Sequence, residues 1–300
     1  MRLSQNITGR AFEYGLLEYL SNTLPATIEE NDQYLVVTNS FNQCPLREQQ
    51  RIHHAANQVL DFLIDQDKNL AKGHFSVKTQ SDQRGAIGDV RDIIITQTDT
   101  GNEWGISAKN RHYAIKHSRL SSTINFGKDW FGIPVSNLYF DEITPIFNEL
   151  RDLQRQGLKW RNLANKAERF YLPVLNAFQD EITRLANFSP TLVPSGMVKY
   201  LIGNHDYYKI IKENGSVSII SFNLDNSLGW GRKLQLPDEL IQITLKPRSK
   251  TTLLATFNHG WQISFRIHNA STLVEPSLKF DIQPVGYPSS LSRHTIQYIR

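Results

Sequence analysis

A single cysteine in 300 residues, Cys44, leaves no partner for an internal disulfide and cannot build a Cys-rich structural zinc site. Its neighbours Asn42, Gln43 and Pro45 supply no base to activate the thiol, so it is read as an ordinary small side chain. No apolar run approaches the roughly 18 residues that span a bilayer. The start, Met1-Arg2-Leu3-Ser4-Gln5-Asn6, has no apolar stretch leading to a small-residue cleavage site, and the expectation is a cytoplasmic protein without an anchor. Repeats and low-complexity linkers are also missing. Net charge is small, +4 from 33 basic and 29 acidic residues, while 40% hydrophobic residues exclude wholesale disorder.

The distribution of charge says more than its sum. Residues 1–108 carry nine basic and 14 acidic side chains, and residues 109–130 carry five and one. Residues 131–243 balance, and residues 244–300 carry seven basic against two acidic. Two separated basic blocks are suited to a polyanion.

Periodicity predicts a mixed α/β protein with a β-rich C-terminal part. Helices are expected at about 9–21, 47–64, 140–156 and 160–186, from apolar residues at helical spacing such as Phe12, Leu16, Leu17 and Leu20. Strands are expected at 75–79, 90–96 and 104–109. After Gly203 the period falls to two, with strands at 207–212 and 216–222 around Asn214-Gly215, then at 241–245, 252–257, 261–267 and 278–282. A change in composition near Pro190, Pro194 and Gly196 suggests residues 1–195 as one unit and 196–300 as a second that completes it, with one single domain as the alternative.

The most informative chemistry lies in Gly88-Asp89-Val90-Arg91-Asp92 and the following Ser107-Ala108-Lys109. If the hairpin between them turns at Thr100-Gly101, Asp92 falls opposite Lys109, and Ser107 shares their face because side chains alternate. A carboxylate and a lysine so placed suit metal-assisted phosphodiester hydrolysis: the acid holds Mg²⁺, and the lysine orients the nucleophile or stabilises developing charge. An acid before an apolar strand, followed by a strand ending in x-K, resembles the PD-(D/E)xK nuclease core. Ser107 stands where that core carries its second acid. Asp89, which needs a bend in the chain, and Glu13, on the first helix, are the two candidates to supply the missing ligand.

Lys109 opens the first basic block, in which Arg111, Lys116, His117, Arg119, Ser121, Ser122 and Lys128 are candidate DNA contacts. In the second block, Arg266, His268 and Asn269 lie on or just after a predicted strand and are further candidates. Trp130 and Phe131 are read as core rather than as intercalating wedges.

Long stretches around these motifs carry a resemblance. They are Gly88 to Ile95, Tyr113 to Ser122, Phe126-Gly127-Lys128, Trp130-Phe131-Gly132, Gly260-Trp261-Gln262, Ser264 to Ser271 and Ser277 to Gln283, with Gly9 to Tyr14 and Ile28 to Asn31 near the start. The sequence resembles the HaeIII family of type II restriction endonucleases over nearly its whole length. That resemblance implies a bacterial endonuclease that cuts duplex DNA at GGCC, between the central G and C, in a Mg²⁺-dependent reaction. A two-fold symmetric site implies a homodimer, with a cognate GGCC methyltransferase as the partner of the system without direct contact.

Rival readings have less behind them. A His-metal nuclease would need a tight His-rich arrangement, whereas His112, His117, His259 and His268 are scattered. A methyltransferase would need a Pro-Cys nucleophile or a Gly-rich cofactor loop, and neither is present. A DNA-binding protein without catalysis has Ser107 as its best argument.

Overall fold

Apolar side chains at helical spacing fold the N-terminus as their period predicts. Helix α1 (Gln5–Thr23) buries Phe12, Leu16, Leu17 and Leu20, and the Ser4 hydroxyl caps it by accepting from the Ile7 N–H at 3.3 Å. The computed structural model describes residues 4–70, 72–81, 88–110 and 118–298. Helix α3 (Leu46–Gln66) presents Ile52, Ala55, Val59 and Leu63 in the same way. Both helices pack on one face of a seven-stranded sheet, where Val77, Ile93, Ile95, Ile106 and Ile210 meet them.

That sheet contains β1 (Ala26–Glu29), β2 (Phe75–Thr79), β3 (Ile93–Gln97), β4 (Glu103–Asn110), β6 (Tyr207–Lys212), β7 (Ser216–Phe222) and β12 (Arg293–Gln297), in that spatial order. All neighbours are antiparallel except β1 with β2 and β4 with β6. A parallel pair needs a long crossover, and the chain between β4 and β6 supplies the helices of the other half. These are α4 (Phe126–Phe131), α5 (Asn137–Arg155), α6 (Leu172–Phe188) and α7 (Leu192–Ile202). They share a second core with the buried face of a five-stranded antiparallel sheet, ordered β5 (Arg119–Leu120), β11 (Leu278–Gly286), β10 (Gln262–Asn269), β9 (Thr252–Phe257), β8 (Leu240–Leu245). Trp130 and Phe131 lie in this core, as expected.

The mixed α/β class and the strand-rich C-terminal part agree with the sequence reading. The division suggested near residue 195 falls inside α7, and strands from both sides of it join one sheet. Pro194 and Gly196, which suggested a boundary, have local roles in that helix. Pro194 stands in the first turn, where a missing N–H costs no hydrogen bond, and a Cβ on Gly196 would come within 2.6 Å of Phe131 Cβ.

The helix expected at 160–186 is broken. A 3₁₀ turn at Trp160–Asn162, a left-handed Asn165 at φ 48° and a π turn at Ala167–Tyr171 precede α6. Backbone bonds explain the break, since the Trp160 N–H is drawn to Thr272 O and Lys159 bridges to Leu273. The strand expected from residue 90 begins at Ile93, because Val90 and Arg91 belong to the turn that precedes it. Helices α2 (Asp32–Asn42) and α7 and the short elements β1, α4, β5 and β12 add to the expected set.

Candidate active site

The β3–β4 hairpin sets the site, with a register in which the partner of Asp92 lies two residues from the expected one. Ile93 pairs with Ile106 and Thr96 with Glu103, so continuing the ladder puts Asp92 beside Ser107 and not opposite Lys109. The difference lies in the loop: Gly101 N–H bonds to Gln97 O and Gln97 N–H to Asn102 O, so residues 98–102 turn the chain and not Thr100-Gly101 alone. Lys109 still reaches the acid, because it lies two residues beyond Ser107 on the same face.

Asp92 is held at the mouth of this hairpin. Its Oδ2 accepts from the Ala108 N–H at 2.7 Å, from Lys109 Nζ at 3.0 Å and from the Ser107 hydroxyl at 3.2 Å. Among the described residues no donor reaches Oδ1. One oxygen is therefore fixed by three donors. Asp92 and Lys109 line an open cavity of about 260 Å³, together with Glu13, Arg10 and Asn110. The structure thus brings Asp92, Lys109, Ser107 and Glu13 to one place. Glu13 comes from α1, which passes the end of β4 where the Asn110 amide donates to Thr8 Oγ1 at 2.7 Å.

Asp89 stands elsewhere. Arg91 donates to both of its carboxylate oxygens at 2.8 Å, and the Arg91 N–H adds a third bond at 3.2 Å. Both side chains are almost wholly buried, and Glu103 accepts from the far side of the guanidinium. Burial would raise the Asp89 pKa, but the Arg91 contacts outweigh it and hold the carboxyl below its ordinary value. Gly105 makes room for this pair, since a Cβ there would lie 2.0 Å from Arg91 Cδ. Asp89 does not line the cavity.

A residue absent from the sequence reading completes the surroundings. Lys209 on β6 is the cross-strand partner of Ser107 and is only 2% exposed. Burial, and then the neighbouring Lys109, push its pKa down to about 7, against a smaller pull upward from Asp92. The available signal was a lysine in the middle of the apolar run Tyr207-Tyr208-Lys209-Ile210-Ile211.

The candidate DNA contacts fall into separate groups. Arg111, Lys116 and His117 lie outside the described residues. Arg119, on β5, is exposed and donates to Ser277 Oγ at 2.9 Å and Glu275 at 3.3 Å. Ser121 bonds within its own loop to Thr123, Ser122 is half-buried beside it, and Lys128 is exposed on α4. Arg266 and His268 project from the polar face of the five-stranded sheet, opposite the face that buries Phe265 and Ile267. Asn269 is taken up by structure: its amide donates to Ser271 O at 2.7 Å and its carbonyl accepts from Tyr171 at 3.3 Å.

Among the described residues no cluster of three His, Cys, Asp or Glu side chains forms a closed metal cage. Nor is one required for Mg²⁺, which is commonly bound through one or two carboxylates with the remaining positions left to water and substrate phosphate. Asp92 and Glu13 fit that donor set. No helix among the described residues is long and apolar enough to cross a membrane.

A model of the HaeIII restriction endonuclease family matches residues 9–288. The type II restriction enzyme HaeIII of Haemophilus aegyptius is 37% identical over 97% of each chain. The matched residues take in the hairpin, the first basic block and every described strand but β12. The chain belongs to the HaeIII restriction endonuclease family and is a type II restriction endonuclease.

Proposed function

We propose that this endonuclease cuts duplex DNA at GGCC, between the central G and C, by Mg²⁺-dependent hydrolysis, with Asp92 and Lys109 at the reacting phosphate. The observation that carries the catalytic assignment is the bond from Lys109 Nζ to Asp92 at 3.0 Å, with both residues lining one open cavity. Mg²⁺ held by Asp92 and Glu13 would polarise the phosphate and lower the pKa of the attacking water. Ser107 and the Ala108 N–H orient Asp92. Lys109 is placed to orient the water or to stabilise charge on the phosphoryl oxygens. Asp89 is assigned to the buried pair with Arg91, which leaves Glu13 as the second carboxylate.

The polar face of the five-stranded sheet supports the DNA assignment. Lys279 pairs across the ladder with His268 on one side and with Arg119 on the other, and Arg266 lies along the same face opposite Asp281. Lys279 and Arg119 stand directly opposite one another, and a phosphate backbone on that face would offset their repulsion. The target sequence follows from the family resemblance, and its symmetry favours two copies of the chain, each cutting one strand. A cognate methyltransferase would protect the same site without touching this protein.

Plasmid incubated with Mg²⁺ and then with EDTA tests the reading. Fragments bounded by GGCC that vanish in EDTA are expected; cutting at another sequence, or unchanged cutting in EDTA, overturns it. Sedimentation with a GGCC duplex in Ca²⁺ decides the assembly, and one chain per duplex would remove the dimer.

A further inference from the structure

Three cations that belong to none of the contacts named so far meet at the far edge of the seven-stranded sheet. Arg232 and Lys233 are exposed in the loop that follows β7, and Arg293 is exposed at the start of β12. The loop is tied down on both sides of its two cations. Trp230 O accepts from the Ser221 hydroxyl at 2.8 Å, Gly231 O accepts from the Asn223 amide at 2.9 Å, and the Leu234 N–H donates to Asn223 O at 2.7 Å. Gly231 has φ 101°, and a Cβ on it would lie 2.2 Å from Ser221 Oγ, so the loop closes on β7 only with glycine there. The Arg232 N–H then donates to Ser292 Oγ at 3.4 Å, which fixes this loop against the start of β12. The Arg293 guanidinium sits over the Tyr287 ring, 5.8 Å from its centre. Elsewhere on the surface exposed arginines are answered by acids, as Arg155 is by Asp152 and Arg169 by Glu149. Among the described residues no carboxylate pairs with Arg232, Lys233 or Arg293.

The ladder relates this patch to the reacting centre. Continuing the β3–β4 pairing sets Asp92 beside Ser107, Ser107 pairs with Lys209, Lys209 with Ile220, and Ile220 with Arg293. Arg293 therefore stands four strands from Asp92 in one row, roughly 19 Å at about 4.8 Å per step. A duplex rises about 3.4 Å per base pair, so that span corresponds to about five to six base pairs. A central cut in GGCC leaves only two base pairs of the site on either side. Like charges gathered on a rigid frame without acids between them fit a polyanion, and at this distance the polyanion is DNA beyond the site. Resting on the proposed placement of the reacting phosphate at Asp92, we infer that Arg232, Lys233 and Arg293 hold the phosphate backbone of the DNA that flanks the recognition sequence. They add affinity without adding sequence information, because phosphate contacts carry none.

The test measures binding in Ca²⁺ to GGCC duplexes with two or with eight base pairs on each side of the site. Wild type is expected to bind the longer duplex about tenfold more tightly. In the triple variant Arg232→Gln, Lys233→Gln, Arg293→Gln that gain is lost, and the slope of log affinity against log salt on the longer duplex falls by about two to three. Arg293→Gln alone is expected to lower the slope by about one. A triple variant that keeps the wild-type gain, or that loses affinity equally on both duplexes, would overturn the inference. So would a changed sedimentation coefficient of the DNA-free variant, which would turn the patch toward a second copy of the chain. The binding comparison involves no turnover, so it is separate from the site on which it rests: wild-type cutting by Asp92→Ala would overturn the placement of the reacting phosphate instead.

Discussion

Asp89 and Asp92 belong to one turn of chain, yet their surroundings are opposite. Arg91 closes on Asp89 with two parallel bonds, Glu103 holds the other side of the guanidinium, and both charges are sealed from water. Asp92 has one oxygen held by three donors, and the residue lines an open cavity. The first arrangement satisfies a carboxylate completely and thereby makes it useless as a ligand. The second satisfies it by half. Incomplete satisfaction beside a lysine is what separates a candidate catalytic acid from a structural one, and residue type alone does not reveal it.

The largest expected effect falls on Asp92. Asp92→Ala removes the anchored carboxylate, and cleavage is expected to drop by at least about a thousandfold. Thermal unfolding is expected to change little, because the side chain lies at the rim of the hairpin. A variant that cuts at the wild-type rate would make the Asp92 cluster the structural one and erase the contrast.

Arg91→Ala probes the other cluster and is expected to act on stability instead. Removing one partner of a buried pair leaves an uncompensated charge, at a cost of about 3–5 kcal/mol. Denaturant unfolding would show this loss, while cleavage per folded molecule below the transition stays close to wild type. A marked fall in cleavage by the folded fraction would place Asp89 and Arg91 in the reaction after all.

Asp92 and Lys109 were legible in the sequence but their contrast with Asp89 was not, for physical causes. The order of acid, apolar strand and x-K marked Asp92 and Lys109, because strand alternation forces Ser107 and Lys109 onto one face whatever the turn does. The pairing step depended on the loop after Gln97, and a polar stretch such as Thr98 to Asn102 is compatible with more than one register. Asp89 looked like a ligand because nothing in Gly88-Asp89-Val90-Arg91 shows that the chain bends enough for Arg91 to fold back on it. Lys209 could not be placed at all. Its position beside Ser107 comes from the parallel β4–β6 pair, which joins strands separated by the entire α4–α7 crossover. In the fold, long elements with clear periods such as α1, α3, α5, β6 and β7 were readable, whereas β1, β5 and β12 are short edge or near-edge pieces defined by their neighbours.

A pH titration sharpens the comparison at a smaller scale. Asp89 has a lowered folded-state pKa, so its contribution to stability is present above the unfolded carboxylate value of about 3.9 and is lost as pH falls through the folded value. Arg91 faces it, Gln80 bonds to it, and His205 lies 4.0 Å away and adds positive charge when protonated, which favours the ionised acid further. Unfolding free energies measured from pH 6 down to pH 3 are expected to fall less steeply in Asp89→Asn than in wild type. Equal slopes would show that the pair contributes nothing to acid sensitivity.

The smallest expected effects belong to the polar sheet face, far from the contrast between the two acids in chemistry but dependent on the same DNA. Lys279 stands between Arg119 and His268, and a cation placed there for phosphate contact releases a counterion on binding. Lys279→Ala is expected to weaken Ca²⁺-supported binding about equally for GGCC and unrelated duplexes, and to reduce the slope of log affinity against log salt by about one. Arg119→Ala separates two roles: a guanine contact costs about 1–3 kcal/mol on GGCC alone, and a phosphate contact costs the same on every sequence. Both variants should leave the maximal rate at saturating DNA unchanged, since neither side chain lines the cavity that holds Asp92 and Lys109. An unchanged salt slope in Lys279→Ala would mean that the row of cations faces solvent and not the duplex.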